Sequence, residues 1–393
     1  MKMTLNIRDF LFPIRNLVTS ARDFFLLPYP NGKYGTIDGR LDFIDGLRGV
    51  TMILVVYWHV LVMSLNVTTY TAMTLQLFRM PLFFFISGFF AYSFNYDRSK
   101  LQKRLSNRWH RQLLPTVFIF LAFILFEVVY VGAYSDIREF LGSFFSSIGK
   151  NAISEFKSGY WFTFVLVEVF CVFALLNYLL SSRNVSRSRQ GLLFLSIAAV
   201  CAVIEWGFSK LVTPKSPDSV KTICELFSLT HLLRYQVFFY LGAAVRAFDS
   251  QIWRFLSRRA AGIGVAVITG VVFWFTPRFH VPVWVFYGAA CTGILFSVTL
   301  FFYLRKFFTG NSVAVRLLKF IGKNTLPIYL FHYFIIRMMR DLDLPWLVSG
   351  IKLGAWAEIP IVALISFAIV MTVLGFDGLL KIKPRIHKMI FAS

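Results

Sequence analysis

The chain has 393 residues, of which 57% are apolar and only 15% charged. A soluble globular domain carries about 45–50% apolar and about 25% charged residues, so this composition excludes a soluble enzyme, a disordered chain and a collagen-like fibre. The net charge of +22, from 41 Lys and Arg against 19 Asp and Glu, would suit an anionic polymer; the apolar content outranks it, and the chain reads as a membrane protein with no nucleic-acid partner.

Residues 1–43 read as a cytoplasmic or membrane-surface segment. Lys2, Arg8, Arg15, Arg22, Lys33 and Arg40 accompany Phe10, Leu11, Phe24 and Phe25, the pattern of a short helix lying on a bilayer. No cleavable signal pattern is evident. A membrane domain follows over 44–380, and a basic cytoplasmic tail over 381–393. A spanning helix needs about 20 mostly apolar residues. Ten stretches qualify, at 44–66, 71–95, 109–132, 159–181, 190–211, 223–246, 260–277, 282–304, 320–339 and 357–379. The alternating segments of a membrane β-barrel are absent. The expected fold class is therefore an all-α integral membrane protein with about ten transmembrane helices.

Loop charge gives the direction. Of the 41 Lys and Arg, 29 fall on loops of one side, ten on the other, and Arg79 and Arg234 inside spans. Cytoplasmic loops carry the excess of Lys and Arg, and an even number of spans returns the chain to its starting side. Both termini are expected to be cytoplasmic. Cys171, Cys201, Cys224 and Cys291 sit in or beside apolar runs without paired spacing, so they read as small buried residues, and no metal site is expected.

Ionisable residues within spans are costly and mark functional sites. The sequence has His59, Arg79, Glu127, Glu168, Glu205, His231, Arg234, His332 and Asp377 in such positions. Some must be structural pairs, such as Arg79 or Arg234 with a Glu. In the first span, His59 follows Arg48 by eleven residues, about three turns, so the two share a helix face about 16 Å apart. Imidazole suits general-base work near neutral pH. Arg108 and Arg111 enter the third span at i and i+3, where two guanidinium forks could grip a phosphate or carboxylate. Ser87 and Gly88 form a small step in a bulky helix, Trp161 opens the fourth span, and His332 lies in the ninth.

Taken together, these segments resemble the acyltransferase-3 family of integral membrane acyltransferases. Asp45-Gly46-Leu47-Arg48-Gly49 followed by His59 resembles its opening motif. Phe84-Phe85-Ile86-Ser87-Gly88-Phe89 resembles its FFxxSGF segment, and Arg108-Trp109-His110-Arg111 with Pro115 its RxxR element. Trp161-Phe162, Phe238-Phe239-Tyr240-Leu241-Gly242 and Ile321 to His332 resemble later segments, with Thr325 where Ser is usual. The resemblance covers roughly residues 42–340.

The resemblance implies transfer of an acyl group, most often acetyl, from cytoplasmic acyl-CoA to a hydroxyl of a cell-envelope or exported carbohydrate or glycolipid. It implies a multi-pass protein of the cell membrane, by family habit a bacterial inner membrane. His59 would be catalytic, as general base or as transient acyl carrier. Arg48, Arg108 and Arg111 would bind the phosphates of acyl-CoA, a substrate rather than a resident cofactor. Ser87, Trp161 and His332 would orient substrate. The alternative is a transporter or exporter of a glycan or small polar solute, since intramembrane His, Glu and Arg also line transport paths.

Overall fold

The computed structural model describes residues 42–132, 134–212, 216–276, 281–310, 312–342, 345–352 and 354–382, with positions 387 and 391. The expected surface helix around Phe10, Leu11, Phe24 and Phe25 and most of the basic tail lie outside the described residues. Among the described residues every regular element is helical.

A helix occupies each of the ten expected positions. They are α1 (Asp42–His59), α2 (Tyr70–Ala91), α4 (Leu114–Val131), α6 (Trp161–Ser182), α7 (Arg187–Leu211), α9 (Leu229–Ala247), α11 (Arg259–Phe275), α12 (Val283–Tyr303), α15 (Thr325–Arg340) and α17 (Ala355–Ile382). Between them lie α3 (Arg98–Arg108), α5 (Ile137–Ile153), α8 (Asp218–Leu226), α10 (Asp249–Leu256), α13 (Arg305–Thr309), α14 (Val313–Lys323) and α16 (Pro345–Lys352). Among the described residues seven stretches are long and apolar enough to cross a bilayer, and an eighth counts if α10 and α11, bent by 86°, form one span. The expected count of ten is thus met only in part. The shortfall has local causes. Helix α9 carries His231, Arg234 and Arg246. Helix α15 has 16 residues and closes on Arg337 and Arg340, about 24 Å of rise.

Two features differ from the expected loops. The basic run before the third span is helical, so residues 98–131 form one 34-residue stretch. Asp97 starts it by accepting from the Lys100 N–H at 2.7 Å, an N-cap. The 132–159 connection contains α5, capped by Asp136 on the Glu139 N–H at 2.7 Å. None of its side chains is buried, because its apolar residues are too few for a span and its neighbours touch one face only.

Two close crossings hold the bundle together. A Cβ on Gly88 would lie 1.9 Å from the Phe239 carbonyl oxygen, and one on Gly242 1.9 Å from that of Phe85, so α2 and α9 cross backbone to backbone. A Cβ on Gly49 would lie 2.2 Å from the Leu318 oxygen and one on Gly322 2.1 Å from that of Asp45, which fixes α1 against α14. Small residues at such crossings let dispersion contacts accumulate where lipid offers no hydrophobic drive. The glycines of the Asp-Gly-Leu-Arg-Gly, Ser-Gly-Phe and Phe-Phe-Tyr-Leu-Gly segments therefore serve packing, and they set the register that positions the polar residues beside them.

Candidate active site

Helices α1 and α15 touch at two polar points. Arg48 Nη2 donates to Thr325 Oγ1 at 2.9 Å. His59 Nδ1 and His332 Nε2 are 2.9 Å apart. Seven residues separate Thr325 from His332, two turns on one face. The expected common face for Arg48 and His59 is therefore present, and it faces α15.

The hydrogen bonds assign the tautomers. His332 Nδ1 lies 3.1 Å from the Ile328 carbonyl oxygen and 2.8 Å from that of Tyr329. Carbonyls only accept, so His332 Nδ1 carries the proton and its Nε2 is the acceptor. His59 must then donate from Nδ1, which leaves His59 Nε2 with a free lone pair. That nitrogen faces the Tyr333 hydroxyl at 3.4 Å. His59 is 6% exposed and His332 0%.

A loop of unusual backbone closes the site. Lys157, Ser158 and Gly159 have φ of +44°, +51° and +93°, a run that costs free energy for the two residues with a Cβ. Lys157 Nζ anchors it by donating to the carbonyls of Ala152, Ser154, Glu225 and Leu226 at 3.0–3.4 Å. Burial pushes the pKa of this ammonium below its ordinary value. The loop presents the Gly159 carbonyl, which accepts from Tyr329 at 2.5 Å and Tyr333 at 2.9 Å. A side chain at Gly159 would strike the Tyr333 ring at 2.5 Å.

A cavity of about 440 Å³ opens at the end of the bundle that carries the basic loops. Arg48, Arg104, Arg108 and Arg111 line it, with Ser87, Thr325 and Tyr329 among the others, and among the described residues no Asp or Glu is in its wall. Arg108 donates to Gln112 and stacks on Phe170 with its Cζ 4.2 Å from the ring centroid. Tyr329 connects the cavity to the histidines, its ring 5.8 Å from that of His332. A second cavity of about 440 Å³ is lined by Thr68, Tyr70, Gln76, Arg234, Tyr235 and Thr276 among others. The first touches the end of α2 at Ser87 and Ala91 and the second its start at Tyr70 and Met73, so they lie at opposite ends of the bundle.

The structure thus gathers Arg48, Arg108, Arg111 and Ser87 around one cavity and pairs His59 with His332. Trp161 stands apart, packed at a tilt against His231 at 4.1 Å and Tyr235 at 5.1 Å between ring centroids. Arg104, Tyr329 and Tyr333 were not singled out from the sequence. Arg104 had a signal, since Arg104, Arg108 and Arg111 follow at i, i+4 and i+7. The tyrosines had none, because their place depends on the loop at 157–159. Two π-helical turns, Val60–Ser64 directly after His59 and Trp109–Leu113 directly after Arg108, mark the site as well.

A family model described as an acyltransferase domain matches residues 41–375. The chain belongs to the acyltransferase-3 family. Nothing among the curated proteins or the solved structures matches it. This acyltransferase is a multi-pass membrane protein on the strength of its apolar helices. Its buried histidine pair and its four-arginine cavity both fall inside the matched residues.

Proposed function

We propose that the protein transfers an acyl group, most simply acetyl, from cytoplasmic acyl-CoA to a hydroxyl of an exported or cell-envelope carbohydrate. The observation that carries this reading is the cavity lined by four guanidinium groups, with no carboxylate among the described lining residues, ending at Tyr329 beside the His59–His332 pair. Coenzyme A is an elongated polyanion with a thiol at its far end. Arg48, Arg104, Arg108 and Arg111 would hold its phosphates, and the pantetheine arm would carry the thioester past Tyr329 to His59.

His59 Nε2 takes the proton of the acceptor hydroxyl. The oxygen attacks the thioester carbon, the carbon–sulfur bond breaks, and the thiolate recovers the proton from His59. His332 keeps the base in the useful tautomer and orients its ring. Ser87 lies within donor reach in the cavity wall. The acceptor enters by the second cavity, whose hydroxyl, amide and aromatic groups suit a sugar. In this reading ten helices cross the cell membrane, both termini face the cytoplasm, and the four-arginine cavity opens there.

Two variants test the assignment. His59→Ala should insert normally and still bind CoA, yet lose transfer of labelled acetyl groups by about 10²–10⁴-fold, the worth of a general base. Full activity in that variant would sink the base. Arg108→Ala should raise the acyl-CoA concentration for half-maximal transfer by about tenfold or more, from the loss of charge-assisted hydrogen bonds; an unchanged donor requirement counts against phosphate binding. Mass spectrometry of envelope glycans with and without the gene reads the acceptor directly. Glycan uptake by proteoliposomes with no acyl-CoA dependence would point to an exporter instead.

A further inference from the structure

Arg79 has no part in the steps above, and its surroundings are unusual. It lies about midway along α2, is 6% exposed, and has no partner for Nε or Nη1 among the described residues. Its guanidinium stacks on Trp58 with Cζ 3.9 Å from the ring centroid. The Trp58 ring is in turn 5.3 Å from that of His59, and Trp58 Nε1 is also buried without a partner among the described residues. The residue thus stands at the histidine centre, between the two cavities.

A buried guanidinium without a counter-ion is expensive. The same bundle shows the ordinary remedy, for Arg234 donates to Glu205 at 2.7 and 3.0 Å. The sequence led to the expectation that Arg79 or Arg234 pairs with a Glu; Arg234 does, and no carboxylate bridges to Arg79 among the described residues. Unsatisfied donors of full charge beside a base are what a reaction that creates negative charge requires.

We propose that Arg79, with Trp58 Nε1 as a second donor, binds the acyl carbonyl oxygen as it becomes an oxyanion. This rests on the acyl-transfer reading. When the acceptor oxygen bonds to the carbonyl carbon, the π electrons move to the carbonyl oxygen, whose charge Arg79 then meets. Collapse returns them, the carbon–sulfur bond breaks, and the thiolate leaves with the proton held on His59. The counter-charge that no described residue gives Arg79 in the resting protein is supplied at the transition state, where it lowers the barrier.

Arg79→Met tests this, because it removes charge and donors while filling the space with an unbranched apolar chain. The full-length protein in detergent should keep or raise its melting temperature, since an uncompensated charge is gone. Its kcat should fall about 10²–10³-fold, with little change in the KM for acetyl-CoA. A well-folded Arg79→Met protein with kcat within tenfold of the parent overturns the proposal. Should Arg79→Met fail to accumulate, Arg79→Lys keeps the charge without the fork: a lower kcat at unchanged KM supports the role, and an unchanged kcat overturns it. Loss of transfer in Arg79→Met alongside full activity in His59→Ala would sink the base and leave the oxyanion site standing. The reverse pattern would do the opposite.

Discussion

An imidazole that donates from one nitrogen keeps the other for chemistry, and the partner chooses which. Here the choice runs through two histidines to the helix carbonyls of Ile328 and Tyr329. His332→Leu removes the acceptor and frees the His59 ring, so transfer should fall about tenfold or more while CoA affinity holds. His332→Gln returns an oxygen acceptor and should recover part of the loss; equal activity in Leu and Gln variants, measured as initial transfer rates, would deny the positioning role. At this scale the sequence carried Arg48 and His59, because both sit on one helix and helical geometry is fixed. It could not carry the His59–His332 contact, which joins residues 273 positions apart. Arg79 was visible as an intramembrane cation, but that no carboxylate pairs with it among the described residues depends on which helices surround it.

Helices meet here through missing side chains. Gly88 and Gly242 each abut a carbonyl of the other's helix at a distance no Cβ tolerates. Gly88→Ala should therefore cost roughly 1–3 kcal/mol or more of stability, as overpacking does, read as a lower melting temperature in detergent. Gly207 on α7 has nothing within 4 Å of its Cβ position, and Gly207→Ala should leave that temperature unchanged or raise it slightly. Equal shifts for the two would remove the crossing as the cause. The Ser-Gly pair was legible as a small step in a bulky helix, though its partner glycine was not. Helix α5 escaped the sequence reading because hydropathy reports spans, and an amphipathic helix of 17 residues without a buried face gives no such signal. The loop at 157–159 escaped it because only Gly159 has a side chain, or the lack of one, suited to its backbone.

The whole molecule is polarised by charge. The basic loops gather at one end, where Arg187 donates to the Arg246 carbonyl at 2.7 Å and Lys319 reaches Asp42 at 3.1 Å. If that end faces the cytoplasm, a cysteine at Ser186 should resist a membrane-impermeant maleimide in intact cells and one at Ser146 should react, in a chain whose four native cysteines have been replaced. Labelling of Ser186→Cys alone would invert the topology and with it the side from which acyl-CoA arrives. By itself the sequence determined the all-helical membrane class, the order of the helices, the family and the Arg48–His59 face, because each follows from local composition, helical period or a short motif. The tertiary structure decided the rest. The histidine pair, the four-arginine wall, the Gly159 carbonyl under two tyrosines and the uncompensated Arg79 all join groups from separate helices. Their meeting depends on glycine crossings and a strained loop, and no local pattern encodes a contact between distant segments.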